Sequence, residues 1–300
     1  MENDKHSFLY YFFKKVLYII TTVSPVLATR LVYFYHCKKN LNLKNPETFD
    51  EKINYLKLYK NINNELITKC ADKIAVRDYV SSKGLNRILI KTIGIYENAN
   101  DIEWSNLPNS FVIKCNHGCG FNIVCHNKND YNELEVKRKL NKWLSIDYGK
   151  YTSEIHYCNI EPKIIIEKDI SDGQNDLVDY KIFCFDGNPK YIEVITGREK
   201  ENTYYEYYDL NWNKCNFTKK EYSSDKIASK PDGLTEMLEI ARTLSKDFKF
   251  VRVDLYNVKK KIYFGELTFT PSGGCCKKFT DEGAITLGNC INLELKGKKD

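Results

Sequence analysis

Three hundred residues with 46 Lys and Arg against 40 Asp and Glu, a formal charge of +6, 42% apolar and 13% aromatic content supply a packed core and exclude wholesale disorder. The two signs interleave along nearly the whole length, which describes a solvated mixed surface and excludes a nucleic-acid binder with a one-sided basic block; Lys259-Lys260-Lys261 and Lys296-Gly297-Lys298-Lys299 read as a hairpin tip and a tail. The eleven cysteines include no Cys-x-x-Cys pair, Cys115 and Cys119 flank a glycine loop and Cys275 and Cys276 are adjacent, so free thiols of a reducing compartment are expected rather than a disulfide frame or a zinc site.

Phe8 to Tyr35 is apolar and aromatic, but Lys14-Lys15 and Arg30 confine its uncharged core to Val16 through Thr29, with Pro25 inside. That is too short to cross the roughly 30 Å of a hydrocarbon layer, and no small-residue cleavage site follows. Two helical pieces meeting near Ser24-Pro25 are expected. They pack on the domain as a helical hairpin, or they lie on the inner membrane face as a monotopic element through their Tyr, Phe and Lys side chains; apolarity alone leaves both open.

After Pro46, Thr48 or Asp50 can cap a helix running through Tyr59. A second helix is expected from Ala71 to Ser81, ending at Gly84. Strands are expected at Ile88 to Tyr96, Phe111 to Lys114 and Asn122 to His126, the last two enclosing Cys115-Asn116-His117-Gly118-Cys119-Gly120 in a hairpin pattern. An amphipathic helix at Asn132 to Leu144 and a buried strand at Lys163 to Ile166 follow. Asp179 to Phe185, Pro189 to Ile195 and Thr203 to Asp209, with turns at Asp186-Gly187-Asn188 and near Gly197, read as an antiparallel meander. A helix at Asp232 to Asp247 and a last hairpin, Phe250 to Tyr256 with Lys261 to Phe269, complete the series.

The last hairpin carries the sharpest chemistry, because Val251-Arg252-Val253-Asp254-Leu255 and Gly265-Glu266-Leu267-Thr268 set Asp254 and Glu266 on paired strands inside apolar sequence. Charges there need partners. Two opposed carboxylates call for a cation between them, and hard oxygen ligands suit Mg²⁺, which also takes oxygens from substrate phosphates; alternatively Arg252, two residues away on the same strand face, pairs with one of them. A second signal is Lys114, which ends a strand beside Gly118-Cys119-Gly120 and can set an ammonium and several backbone N–H groups around phosphate oxygens. His117 reads as a loop donor rather than a base, and no Ser-His-Asp or Cys-His spacing suggests a nucleophile.

In order, Asp72-Lys73, Lys114 with its glycine loop, Ile164-Ile165-Ile166-Glu167, Asp179-Tyr180-Lys181, Arg252, Asp254, Glu266 and Thr268 resemble the ATP-grasp superfamily. The stretches Asn45-Pro46-Glu47-Thr48-Phe49-Asp50-Glu51-Lys52, Ala71-Asp72-Lys73, Lys114 to Gly120, Asp179 to Gly187 and Val253-Asp254-Leu255-Tyr256 are similar to its TupA-like branch, found in bacterial teichuronopeptide and capsular polysaccharide gene sets. The likeness runs from about Asn45 to about Lys278.

The resemblance implies a mixed α+β or α/β protein, with two lobes gripping ATP between antiparallel sheets and an additional N-terminal helical segment. It divides the chain into that apolar segment (1–44), an N-terminal helical or αβ lobe (45–110), a small lobe with the phosphate loop (111–170) and a large lobe with the metal site (171–300). It implies that Lys73 and Lys114 contact ATP phosphates, that Gly118, Cys119 and Gly120 close over them, that Glu167 ends the strand at the adenine edge with the Lys168 and Asp169 backbone as hinge, and that Lys181 stands near the phosphates. Asp254, Glu266 and Thr268 would hold Mg²⁺, and Arg252 would face the charge of an acyl intermediate. Thr268 stands where Asn is usual, and Cys119 where Ser is common.

The implied activity is an ATP- and Mg²⁺-dependent ligation of an amine to a carboxylate through an acyl phosphate, in surface polysaccharide biosynthesis. The partners are a small-molecule amine and a carboxylate-bearing glycan or nucleotide sugar, with peripheral membrane contact through residues 8–35 and no nucleic acid. The setting is cytoplasmic, or the inner face of the cytoplasmic membrane. Phosphotransfer or another glycan modification on the same fold, and a non-catalytic scaffold of a polysaccharide assembly complex, stand as alternatives. The acceptor pocket is expected at Thr196 to Asp209 and after Thr270, where Pro271-Ser272-Gly273-Gly274 suits close backbone approach.

Overall fold

A computed structural model describes residues 8–171, 177–196, 203–225 and 227–293, for 8–12 the backbone alone. The turn expected near Gly197 and the lysine tail 296–299 lie outside the described residues.

Two antiparallel sheets carry the fold. The smaller has the order β1 (Thr92–Tyr96), β4 (Ile164–Lys168), β2 (Phe111–Cys115) and β3 (Asn122–Cys125). The larger runs β10 (Lys261–Thr268), β9 (Phe250–Val258), β5 (Asp179–Phe185), β6 (Asn188–Thr196), β7 (Tyr204–Tyr208) and β8 (Lys214–Cys215). The expected hairpins β2–β3 and β9–β10 and the meander β5–β6–β7 all form. Lys259 and Lys260, both with positive φ, make the tip of the β9–β10 hairpin.

Alternation along the strands decides what each sheet face meets. On β2, Phe111, Ile113 and Cys115 are buried and join Val136 and Leu140 of α6 (Glu133–Leu144) in one core, while Val112 and Lys114 point the other way. On β5, Tyr180, Ile182 and Cys184 pack with Met237, Ile240, Ala241 and Leu244 of α8 (Leu234–Ser245). The opposite face of β5 is split: Phe183 and Phe185 enter an aromatic core with Phe49 of α3 (Phe49–Tyr59) and Leu287 of α9 (Asp281–Asn289), while Asp179 and Lys181 at the other end are buried but charged. β9 repeats the arrangement in register, Phe250 opposite Phe185, Arg252 opposite Phe183, Asp254 opposite Lys181 and Tyr256 opposite Asp179. One sheet face therefore changes from aromatic core to charged cleft along its length.

Of the helix expected at Ala71 to Ser81 only the later part forms, as α5 (Val76–Ser82); Ala71 instead ends a separate helix, α4 (Glu65–Ala71). Asp72 separates them because its carboxylate accepts from the Ile74 and Ala75 amides at 2.7 and 3.3 Å, and Asp in this role competes with the helical ladder. α3 starts as expected, with Thr48 and Glu51 forming a reciprocal capping box.

The N-terminal segment is a hairpin of α1 (Phe8–Val23) and α2 (Pro25–Cys37), with Ser24 capping α2 and Pro25 at its first position. It packs on the domain: Lys14 Nζ donates to the Tyr151 carbonyl of α7 (Tyr148–Thr152) at 3.1 Å, Thr29 and Ser153 hydroxyls lie 2.9 Å apart, and Tyr33 joins Tyr55 and Leu58 of α3. The outward side remains apolar, with Ile19, Val23, Leu27, Leu31 and Phe34 exposed. Among the described residues no helix is long and apolar enough to cross a membrane.

Phe49 is fully buried against the rings of Phe183, Phe185, Phe250 and Phe279. Phe49→Ala should lower the unfolding free energy by about 4 kcal/mol, measured by urea denaturation; a loss of under about 1 kcal/mol would show that this cluster does not join α3 to the large sheet.

Candidate active site

The charged end of the β5–β9–β10 face and the outward face of the small sheet enclose a cleft. Its inner part is a cavity of about 230 Å³, lined by Ile90, Val112, Lys114, Leu177, Tyr256 and the Glu167–Ser171 segment. Val112, Leu177 and Tyr256 give the walls apolar surface, with Lys114 and the carboxylates Glu167, Asp169 and Asp179 around them, a composition suited to a planar heteroaromatic base with an anionic tail.

Lys114 and Glu167 stand on neighbouring strands, Lys114 opposite Ile165 and Glu167 opposite Val112, and their side chains pair at 2.8 Å. The second Glu167 oxygen takes Arg77 Nη1 at 3.1 Å, and Arg77 Nη2 is anchored on the Ile90 carbonyl at 2.8 Å. Glu167 thus fixes the lysine with the help of an arginine that reads in the sequence as an ordinary exposed charge of an amphipathic helix. The Lys168 amide donates to the Lys91 carbonyl at 2.9 Å, so of its backbone groups the carbonyl is the one suited to a hinge contact. Asp169 turns back on the chain, accepting from the Ser171 amide at 2.8 Å, and lies 3.2 Å from His126.

The loop between β2 and β3 is tied down at its base. Asn116 Nδ2 donates to Asp72 at 3.0 Å and to the Glu161 carbonyl at 2.9 Å, while the Lys163 amide donates to Asn116 Oδ1 at 2.7 Å. Lys73 Nζ donates to the Gly118 carbonyl. Glycine is required at two points: a Cβ on Gly118 would come within 2.7 Å of the Tyr148 ring, and Gly120 has φ +78°. Cys119 between them is exposed, whereas His117 is buried, with Nε2 3.2 Å from the Trp143 carbonyl.

Asp254 and Glu266 are direct partners in the β9–β10 register, with a bulge between Phe264 and Glu266. Asp254 is 2% exposed, and the alternative left open by the sequence is realised: Arg252 grips it with Nε on Oδ1 and Nη2 on Oδ2, both at 2.7 Å, and Lys181 Nζ closes on Oδ2. Arg252 Nη2 also donates to the Thr268 hydroxyl at 3.0 Å and lies 3.6 Å from Glu266, to which Thr268 donates at 3.0 Å. Burial would raise the Glu266 carboxyl, but Lys73, Lys181 and Arg252, aided by the Thr268 hydroxyl, hold it down at about 2. Glu193, opposite Lys181 on β6, completes the cluster; it accepts from Tyr207 at 2.7 Å and faces Lys278 at 3.4 Å.

The cluster therefore gathers Lys73, Lys181, Arg252, Asp254, Glu266 and Thr268, while Lys114 and Glu167 stand across the cleft on the small sheet. Among the described residues no group of three or more His, Cys, Asp and Glu side chains could hold a metal. Two adjacent carboxylates with a hydroxyl fit Mg²⁺, which commonly completes its shell with substrate phosphate oxygens and water.

A family model described as TupA-like ATPgrasp matches residues 51–292. Among solved structures the chain is similar to D-alanine–D-alanine ligase from Bacillus anthracis complexed with ATP (16% identity, TM-score 0.47, 74% of this chain and 64% of that one). It is also similar to L-amino acid ligase from Bacillus licheniformis (14%, 0.46, 83% and 56%) and to D-alanine–D-alanine ligase from Helicobacter pylori (17%, 0.44, 81% and 69%). The chain spans less than two thirds of the length of both Bacillus proteins. No curated protein matches it.

Glu167→Ala would leave Lys114 and Arg77 facing one another across a partly buried site. It should lower stability by about 2 kcal/mol, measured by chemical denaturation, and Arg77→Ala should cost less because Lys114 keeps its partner. Equal losses would show that Glu167 does not hold the two cations together.

Proposed function

The chain belongs to the TupA-like ATP-grasp family, and we propose that it is an ATP- and Mg²⁺-dependent ligase that joins a carboxylate to an amine in bacterial surface polysaccharide biosynthesis. The observation that carries this reading is the opposed pair Asp254 and Glu266, set in register on β9 and β10 and surrounded by Lys73, Lys181 and Arg252. A carboxylate oxygen of the first substrate attacks the γ-phosphorus of ATP and ADP leaves. The amine nitrogen of the second then attacks the acyl carbon, phosphate leaves and a proton is released.

Lys114, oriented by Glu167, and Lys73 offset phosphate charge, and the amides of Gly118, Cys119 and Gly120 supply further donors. Glu167, Lys168 and Asp169 border the base. Asp254, Glu266 and Thr268 would hold the Mg²⁺ ion, which would supply Lewis-acid chemistry when bound. Arg252 and Lys181 satisfy Asp254; Arg252 would face the oxyanion of the tetrahedral intermediate and Lys181 the phosphates. The glycan class of the carboxylate is supported only by the chain's likeness to a branch found in teichuronopeptide and capsular polysaccharide gene sets.

The same reading includes peripheral contact with the inner face of the cytoplasmic membrane. From Lys5 to Pro46 the sequence has no Asp or Glu, and exposed Ile19, Val23, Leu27, Leu31 and Phe34 share the outward side of the hairpin with exposed Lys15, Arg30 and Lys38. Apolar side chains fringed by cations suit an anionic lipid surface.

ATP and Mg²⁺ together should raise the thermal midpoint beyond either alone, with a stabilisation of about 2.7 kcal/mol at a hundredfold excess over Kd. Glu266→Gln should remove the magnesium-dependent part while leaving the nucleotide-free midpoint within a few degrees, and no shift with ATP and Mg²⁺ in the unaltered protein would sink the ligase reading. Val23→Asp with Leu27→Asp should reduce co-sedimentation with vesicles containing anionic phosphatidylglycerol; undiminished binding would assign the membrane contact elsewhere.

A further inference from the structure

A second cavity, of about 550 Å³, lies between the N-terminal hairpin and the cleft, within the roughly 300–1,000 Å³ typical of small-molecule sites. One wall is formed by α1 and α2, with half-buried Phe13 and Lys14 and the exposed Tyr35 and His36; the other is Glu154 with Ser272, Gly273 and Cys275. Two contacts join it to the candidate active site. Tyr148 lines the cavity and lies directly against Gly118 of the phosphate loop. Glu154 accepts from the hydroxyl of Thr270, two residues beyond Thr268.

The charges on the two walls are opposite. Glu154 is 6% exposed, and burial raises its pKa despite the Thr270 hydroxyl and Lys57. Lys14 is half-buried; burial lowers its pKa, and the attraction of Glu154 opposes that effect. Each charged form is therefore disfavoured by desolvation and gains from a complementary group brought in by a ligand. The rings of Phe13 and Tyr35, 5.2 Å apart and nearly parallel, offer faces to methylenes or to an ammonium.

We infer that this cavity binds the amine substrate and that the substrate is a zwitterion, its ammonium held by Glu154 at the end near the phosphate loop and its anionic group by Lys14 and His36 on the hairpin. This rests on the ligase reading for the role of the amine. Residues 13–36 precede the family-matched stretch, which begins at residue 51, so the anion-selecting wall is contributed by the chain's own N-terminal segment. A carboxylate and a phosphate satisfy Lys14 alike, so an amino acid and a phosphorylated amino-alcohol are two sources of one chemistry.

Calorimetric titration of the full chain with L-glutamate, O-phosphoethanolamine, ethanolamine and acetate, each with and without a non-hydrolysable ATP analogue and Mg²⁺, tests the site. At least one of the two zwitterions should bind ten times or more tightly than both ethanolamine and acetate, and the tighter one identifies the anion. Lys14→Ala should remove that preference while leaving affinity for the ATP analogue unchanged, and Lys14→Arg should retain it. Because Glu154→Gln alters a buried group, Phe13→Ala serves as the second probe of the wall and should weaken zwitterion binding at least fivefold. Equal binding of all four compounds, absence of zwitterion binding, or an unaffected preference in Lys14→Ala overturns the proposal. Zwitterion binding without ATP-analogue binding would refute the nucleotide reading and leave this site standing.

Discussion

The buried carboxylate of Asp254 is the constraint around which the cleft is built. A charge at 2% exposure inside a sheet is tolerated only with full compensation, and here the compensation is directional: a two-pronged contact from Arg252 and a third from Lys181. Those cations in turn act on Glu266 and Glu193. Register then fixes the neighbours, since β5, β9 and β10 present Lys181, Asp254 and Glu266 on one line across the sheet.

The hairpins and the meander were legible because alternation and turn residues are local signals, whereas the pairings of β4 with β1 and β2 and of β5 with β9 join distant segments. The antiparallel sheets implied by the resemblance to the ATP-grasp family agree with the observed fold and with the family match, and the two N-terminal helices read from their apolar sequence form before the matched stretch. The carboxylate pair was legible because two charged residues interrupted apolar strands. What sequence did not disclose were partners brought from distant elements. Arg77 lies on α5, ninety residues from Glu167, and nothing in its helix distinguishes it from a solvated charge. Glu154, near the end of a short helix, acquires meaning only through Thr270, 116 residues away. That the first turn of the helix expected at Ala71 to Ser81 does not form was masked by its favourable periodicity, although an Asp followed by two amides that can reach its carboxylate was a visible warning.

The N-terminal hairpin answers a question that composition left open, and the answer uses both of its sides. Its inner side is fastened to α7 and α3 by hydrogen bonds and by the Tyr33–Tyr55 cluster. Its outer side retains the apolar surface that first drew notice. α3 couples the hairpin to the cleft, for Asn54 donates to the Gly274 carbonyl at 2.7 Å and the Cys276 amide donates to Asp50 at 2.8 Å. The segment after Thr270 is thereby held from the same helix against which α2 rests.

The bulge at Gly265 has a consequence for how this hairpin can evolve. Phe264 opposes Leu255, and Glu266 opposes Asp254, so two residues of β10 answer one of β9. Side chains alternate along a regular strand, so with Gly265 present but unbulged Glu266 would emerge on the face that Phe264 and Leu255 give to the α8 core. Parity, rather than the number of residues between the carboxylates, is what places them together. A change at the Lys259–Lys260 tip leaves this pairing untouched, whereas straightening the strand while Gly265 is kept would turn an acid into the hydrophobic layer and leave its partner facing an empty position.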